Sequence, residues 1–408
     1  PLYRQCPLDQ LIGQHPDIIL NLSASPFDYT HLEDRKAILK QNVQKYKLPM
    51  IYCNAVGSQT EIVFDGGSLV MDAQANLIQQ LPLFEESIRY VDWKADGRFA
   101  QPVLSSAAQL PNAEYSPAAL EPEASIVEIH RALVVGIRDY FNKMGFQRAI
   151  LGSSGGIDSA VTLAIAVEAL GKENVRAVLL PSPFSSLHSV ADARSLSDRL
   201  GNPYDIVPID KVFESFLSEL KPLFADRPFG LAEENMQSRI RGNFLMSIAN
   251  KFGYILLNTS NKSELATGYG TLYGDMAGGL AVLGDCYKLQ VYALARYINR
   301  EKEIIPNSIL TKAPSAELRP NQKDSDSLPD YAVLDPVLYQ YIERRQGPEA
   351  IVAQGFDRAI VERVIRLVNV NEYKRNQFCP IIRVSPKAFG VGRRMPIVAH
   401  YLTEQHTS

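Results

Sequence analysis

Residues 152–159, Gly-Ser-Ser-Gly-Gly-Ile-Asp-Ser, stand between two apolar runs and leave few folds open. Upstream, Arg148-Ala149-Ile150-Leu151 reads as a buried strand. Downstream, residues 160–170 read as a helix stopped by Gly171. Strand, small-residue loop and helix in that order form a cradle for phosphate. Small residues let backbone N–H groups approach an anion, and the helix N-terminus adds partial positive charge. Asp158 then supplies a carboxylate where a phosphate-bound Mg²⁺ would sit. No Gly-Lys-Ser/Thr follows the glycines, so the loop is not of the Walker type.

The chain has 408 residues, 46% of them apolar and 21% charged, with a net charge of −3. Its length suits two or three domains. Near-neutral charge without a basic block argues against a nucleic-acid partner. No apolar run approaches the ~20 residues that span a bilayer, and the first residues do not read as a signal peptide. Cys6, Cys53, Cys286 and Cys379 are scattered without Cys-x-x-Cys spacing. A reducing, cytoplasmic setting is therefore expected, with neither a disulfide framework nor a zinc site.

Three textures follow one another along the chain. Residues 1–95 hold short β-rich runs at 17–22, 49–55, 61–64 and 67–72, with a polar, helically spaced stretch at 31–45. Asp65-Gly66 between two of these runs predicts a hairpin. Residues 96–123, rich in Ala, Pro, Ser and Gln, read as a linker. From 124 to 408, apolar strands at 175–180, 204–209 and 254–258 alternate with helices near 125–145, 189–200, 210–220 and 233–252. Such alternation predicts an α/β fold with a doubly wound parallel sheet and ligands at the carboxyl ends of its strands.

Chemistry-bearing residues concentrate between Glu233 and Lys288. Residues 233–241 open a helix with two acids, two amides, and Arg239 and Arg241, both suited to holding phosphate. A solvated amphipathic face is an equally good reading of that stretch alone. Residues 257–275 pack hydroxyls, Lys262, Glu264 and three glycines behind a buried strand end, which favours a functional loop. Lys288 and Lys312 are further candidate phosphate contacts.

The Ser154-Gly155-Gly156-Ile157-Asp158-Ser159 pattern resembles the pyrophosphate loop of the N-type ATP pyrophosphatases. With Pro181-Ser182-Pro183-Phe184, Glu233-Glu234-Asn235, Asn261-Lys262-Ser263-Glu264, residues 271–279, Lys312-Ala313-Pro314-Ser315 and Asn371-Glu372-Tyr373-Lys374, all in order, the chain is similar to the glutamine-dependent NAD⁺ synthetases. Residues 19–27, 54–57 and 64–68 resemble the later part of that family's nitrilase-like glutaminase domain, an α/β sandwich. The family's catalytic Glu, Lys and Cys lie upstream of such a segment. The residues given are therefore expected to lack them, and Cys6 to be structural.

The resemblance implies an ATP-pyrophosphatase domain over 124–408 that amidates nicotinic acid adenine dinucleotide to NAD⁺, releasing AMP and pyrophosphate. Ammonia comes from glutamine or from solution. The substrates, with ATP and Mg²⁺, are then the partners expected, together with other copies of the chain in a homo-oligomer. Gly152, Ser153, Ser154, Gly155, Gly156, Ile157, Asp158 and Ser159 would hold ATP, with Thr259, Lys288 and Ser315. Asn235, Arg239, Glu264 and Lys374 would hold the deamido dinucleotide, and Asp158 and Glu264 the metal. Asp158, Glu264, Lys288 and Asp275 would serve catalysis, Asp275 by orienting the nicotinate end or assisting ammonia. Where many relatives have Thr-Gly-Asn this chain has Thr259-Ser260-Asn261; a left-handed backbone there would strain Ser260. Another pyrophosphate-loop ligase, or a nucleotide-binding subunit without turnover, is the competing reading.

Overall fold

The computed structural model describes residues 7–94, 96–100, 123–320 and 322–398, with backbone alone at 123 and 124. Cys6 and positions 101–122 of the sequence-read linker lie outside these residues. The chain divides into two compact units, Pro1–Glu114 and Tyr115–Ser408.

In the first unit, helix α1 (Pro7–Leu11) leads to β1 (Ile19–Ser23), α2 (His31–Tyr46) and β2 (Met50–Asn54). Four short strands follow: β3 (Val56–Gln59), β4 (Ile62–Asp65), β5 (Leu69–Met71) and β6 (Leu77–Gln80). The main sheet runs β1-β2-β5-β6, with β1 and β2 parallel and the other pairs antiparallel. Leu39 and Val43 of α2 pack on Met50, Tyr52, Leu69 and Met71, so one helix covers one sheet face.

The Asp65-Gly66 hairpin expected from sequence does not form. β4 pairs instead with β3, through a two-residue turn at Thr60-Glu61, and β5 joins the other sheet between β2 and β6. The reason lies in Asp65, which is 1% exposed and accepts from Arg35 at 2.9 and 3.1 Å and from Asn54 Nδ2 at 3.1 Å. A carboxylate locked into an interior ion pair cannot sit at a solvent turn. Gly66 and Gly67, at φ +67° and +61°, carry the chain from one sheet to the other.

The second unit begins with α3 (Glu123–Met144), β7 (Ala149–Gly152), α4 (Ile157–Leu170) and β8 (Val175–Leu179). It continues through α5 (Leu187–Leu200), β9 (Tyr204–Ile206), α6 (Asp210–Phe224), α7 (Leu231–Phe252), β10 (Ile255–Asn258), α8 (Lys262–Thr267) and β11 (Leu280–Ala281). Its sheet is parallel throughout, in the order β11-β10-β7-β8-β9. Helices cover the sheet, which is why the strands read as unbroken apolar runs. α4, apolar on all sides, is buried between the sheet, α3 and α9 (Lys288–Ile298). α10 (Asn307–Thr311), α11 (Tyr331–Ile342), α12 (Pro348–Val352), α13 (Arg358–Val370) and α14 (Glu372–Arg375) complete the unit. Leu334, Val337, Leu338, Val361, Val364, Ile365 and Leu265 form its second core.

The doubly wound parallel sheet is thus present. From β7 the chain winds outward to β8 and β9, then returns to place β10 on the other side of β7. The crevice between β7 and β10 is where such sheets bind ligands. β11, two residues long, is a strand that the sequence pattern does not announce. No described helix is long and apolar enough to cross a membrane.

Candidate active site

A cavity of about 430 Å³ opens at this crevice. Its floor is the complete loop Gly152–Ser159. Gly155 takes φ +78° against the first turn of α5, and Gly156 is the N-cap of α4, so the loop amides stand at a buried helix N-terminus. Ser159 Oγ accepts from Ser154 N at 3.2 Å and donates to Gly156 O at 3.0 Å, closing the loop on itself.

Opposite the loop, Asn258 at the end of β10 ties down the segment behind it. Its Nδ2 donates to Asp275 O and Ala277 O at 2.8 and 3.1 Å, and its Oδ1 accepts from Ser260 N at 2.8 Å. Ser260 has no positive φ, so serine stands there without strain. Asn261 caps α8 reciprocally with Glu264 and donates through Nδ2 to Asp158 Oδ1 at 2.8 Å. Lys288, the first residue of α9, extends its ammonium to 2.5 Å from Asp158 Oδ2 and 3.8 Å from Glu264 Oε1.

The electrostatics follow from enclosing these groups together. Burial raises the Glu264 carboxyl well above its usual range, and the Asp158 carboxylate adds to the rise. Burial works against the Lys288 ammonium, but Asp158 and Glu264 outweigh it and hold the proton on. Asp324, 5% exposed and on the same wall, is also raised, chiefly by burial. Two carboxylates gathered on one cationic point form a hard oxygen donor pair of the kind that takes Mg²⁺ alongside phosphate oxygens. That donor chemistry fits the metal the resemblance implies.

Thr259, Ser315, Asn235, Asp275 and Lys374 all line the cavity. Ser315 Oγ donates to Gln322 O at 2.6 Å, and Asn235 Oδ1 accepts from Thr271 Oγ1 at 2.7 Å. Asp275 is enclosed, accepts Thr271 N–H at 2.6 Å, and is raised by burial. Lys374 Nζ donates to Gly268 O and Gly270 O, both at 2.7 Å, so much of its capacity is spent on holding the loop.

Arg239 is the exception. It is exposed, donates to Leu272 O at 3.2 Å, and does not line the cavity. Arg241 does: its Nε donates to Leu180 O at 2.9 Å, and burial lowers it to about 10 against the pull of Asp275 and Glu317. Lys312 also lines the cavity, held with the Ser189 and Ser186 hydroxyls on Glu317. Sequence reading missed Asp324, for which no local pattern speaks, and did not single out Tyr269 within the 257–275 loop.

An anion loop at the switch point of a parallel sheet, faced by two acids and a buried lysine, defines a nucleotide-dependent α/β enzyme of the ATP-pyrophosphatase class. The NAD synthase family profile matches residues 129–378. The chain is 47% identical over 396 residues to the glutamine-dependent NAD(+) synthetase of Synechocystis sp., covering 97% of this chain and 68% of that protein. It is 45% identical over 410 residues to the Thermotoga maritima glutamine-dependent NAD(+) synthetase, covering 96% and 71%. It also resembles the solved glutamine-dependent NAD+ synthetase of Acinetobacter baumannii in complex with ADP, at TM-score 0.69 and 41% identity over 96% of this chain and 69% of that one. The chain belongs to the NAD synthase family.

Proposed function

We propose that this chain catalyses ATP-dependent amidation of nicotinic acid adenine dinucleotide to NAD⁺, the reaction implied by the names of its relatives. The observation that supports it most directly is the meeting of the Gly152–Ser159 loop with Asp158, Glu264 and Lys288 in one cavity. A carboxylate is a poor electrophile. Transfer of AMP to it from ATP forms an acyl adenylate and breaks the α–β phosphoanhydride, releasing pyrophosphate. Ammonia then attacks the acyl carbon, AMP leaves with the bond electrons, and a proton is lost from nitrogen.

The protein's share is positioning and charge stabilisation. The loop amides and the Lys288 ammonium hold the pyrophosphate as its charge grows. Asp158 and Glu264 would hold Mg²⁺, which supplies charge neutralisation on the phosphate oxygens. Thr259 and Ser315 would contact ATP; Asn235, Glu264 and Lys374 the deamido dinucleotide. Arg241 lines the cavity and adds a guanidinium there, and Arg239, on the exposed side of α7, would reach the deamido dinucleotide only where that ligand extends beyond the cavity. The enclosed Asp275 orients the nicotinate end or takes the proton that the attacking nitrogen loses once the C–N bond has formed.

We place the nitrilase-like part in residues 1–95 and the synthetase part in 124–408. We further infer a cytoplasmic homo-oligomer with glutamine as the physiological source of ammonia. The test measures NAD⁺, AMP and pyrophosphate with ammonium chloride, then with glutamine. One AMP per NAD⁺ is expected with ammonium. ATP binding without AMP release from either donor refutes the reading.

A further inference from the structure

Ser263 lies between the two residues of α8 that face opposite ways, Lys262 and Glu264, and has no exposed surface. Its hydroxyl joins three elements. Oγ donates to Asp335 Oδ1 on α11 at 2.6 Å and accepts the Lys288 backbone N–H at 3.0 Å. Asp335 Oδ2 accepts the next amide of α9, Leu289 N–H, at 2.9 Å. Both amides belong to a helix's first turn, where no intrahelical acceptor is available. Ser263 and Asp335 therefore replace the missing turn of α9, and the first residue they grip is the one carrying the site's ammonium.

The other side chains of α8's first turn fasten in different directions. Asn261 reaches Asp158, and Lys262 is fully buried against Asp285 and Glu343 at 2.9 and 2.7 Å and Ser385 at 2.8 Å. The turn cannot slide without breaking one of these. Lys288, by contrast, has a long flexible stem, so the ammonium's reach depends on where its backbone is held. Ser263 Oγ ties the Lys288 amide itself to the turn carrying Glu264, and two residues earlier the Lys262 N–H donates to Cys286 O at 2.8 Å, leaving Ser263 to set the last step of the approach.

Asp335 is 0% exposed, and among the described residues its partners are these two donors, with no cation bonded to it. An unpaired interior carboxylate is costly, and an apolar side chain would fill the space at less expense. Its value lies in what it holds.

We propose that Ser263, backed by Asp335, is a positioning residue that sets the Lys288 backbone against Glu264 and Asp158 and thereby tunes how tightly the site takes magnesium-bound ATP. This rests on the function proposed above. A misplacement of about 1 Å at such a point weakens first the phosphate and magnesium contacts that gather around Lys288 and Asp158.

The experiment compares the full chain with Ser263→Ala. Calorimetry measures ATP binding at graded magnesium, and ammonium-dependent kinetics gives KM for each substrate. The ATP dissociation constant and the half-saturating magnesium concentration are each expected to rise roughly tenfold in Ser263→Ala, as for loss of one buried hydrogen bond. The KM for the deamido dinucleotide should change much less than the ATP dissociation constant, because Asn235 and Lys374 are held by Thr271, Gly268 and Gly270 and not through Ser263. A lowered Tm with unchanged ATP and magnesium dependence means a merely structural hydroxyl and overturns the inference. Should Ser263→Ala fail to fold, Asp335→Asn is read by the same two numbers, and wild-type values there overturn it equally. A wild-type chain that binds no ATP at all refutes the proposed function instead, which keeps the two failures apart.

Discussion

Replacing Gly155 by alanine puts a methyl group where the chain has no room. A Cβ built there falls 2.2 Å from Ser189 O and 2.8 Å from Ser189 C and Cα, all backbone of α5. No side chain can swing aside. The Ser189 position is itself fixed, because its N–H caps onto Ser186 Oγ at 3.1 Å and its hydroxyl donates to Glu317 at 2.7 Å. Gly155 also needs φ +78°, which costs an L-residue on the order of 1–2 kcal/mol before any overlap is counted. Relieving the overlap adds about 1–3 kcal/mol. The loop yields more cheaply than the helix, so the cost appears as displaced amides. ATP binding should weaken by at least roughly thirtyfold, the equivalent of about 2 kcal/mol. Gly156→Ala is the control. Its φ is −94°, and its Cβ meets Ser154 Oγ at 3.3 Å, an atom that can rotate away. Calorimetric titration with ATP and magnesium should find Gly156→Ala within about threefold of wild type, an energy below 1 kcal/mol. Equal losses in the two variants, or none in Gly155→Ala, would refute the steric argument.

Lys288→Met leaves Asp158 and Glu264 without their shared cation; a melting-temperature fall that magnesium largely reverses is expected, with ATP turnover down more than about a hundredfold. The Asp335 carboxyl is pushed by burial from its ordinary 3.8 up to about 7, so between those values the folded form holds a proton that the unfolded form releases. Stability from this group therefore falls as pH rises from about 4 to 7, by at most roughly 4 kcal/mol. Urea titrations at pH 5 and pH 8 should show a smaller pH-dependent loss in Asp335→Asn. Asp65→Asn weakens an interior ion pair with Arg35 and should lower the first unit's stability by about 3 kcal/mol. The sole tryptophan, Trp93, packed edge-on against Phe99 at 5.0 Å, reports that transition by fluorescence while ATP binding stays unchanged. Arg241→Lys should weaken substrate binding at least tenfold and Arg239→Lys less than twofold, because only the former lines the cavity; equal effects in steady-state kinetics would contradict that placement.

What could be read from sequence was local. The cradle is legible because strand, glycines and helix are contiguous, α4 because a long apolar run is stopped by Gly171, and α2 and α7 because a helical pattern over many residues outvotes any single position. Asp65-Gly66 misled because its hairpin signal is local, whereas the Arg35 pairing that overrides it comes from 30 residues away. Arg239 and Arg241 differ by two positions on a helix, about 200° of rotation, and their spacing alone does not say which faces the sheet. Ser263 and Asp335 are 72 residues apart and carry no pattern in common. Tertiary contact, not propensity, gives them their role.

The parallel sheet has a consequence for how this protein comes into being. Asp158 meets Asn261 across 103 residues and Lys288 across 130, and β7 closes on β10 over a comparable span. Contacts so distant in the chain pay their loop-closure entropy before they return anything, so they form slowly. During refolding, helical circular dichroism should therefore recover well before nucleotide binding does. A chain emerging from the ribosome lacks the Lys288 contact until α9 has been made, and Ser315 and Lys374, which line the same cavity, come later still.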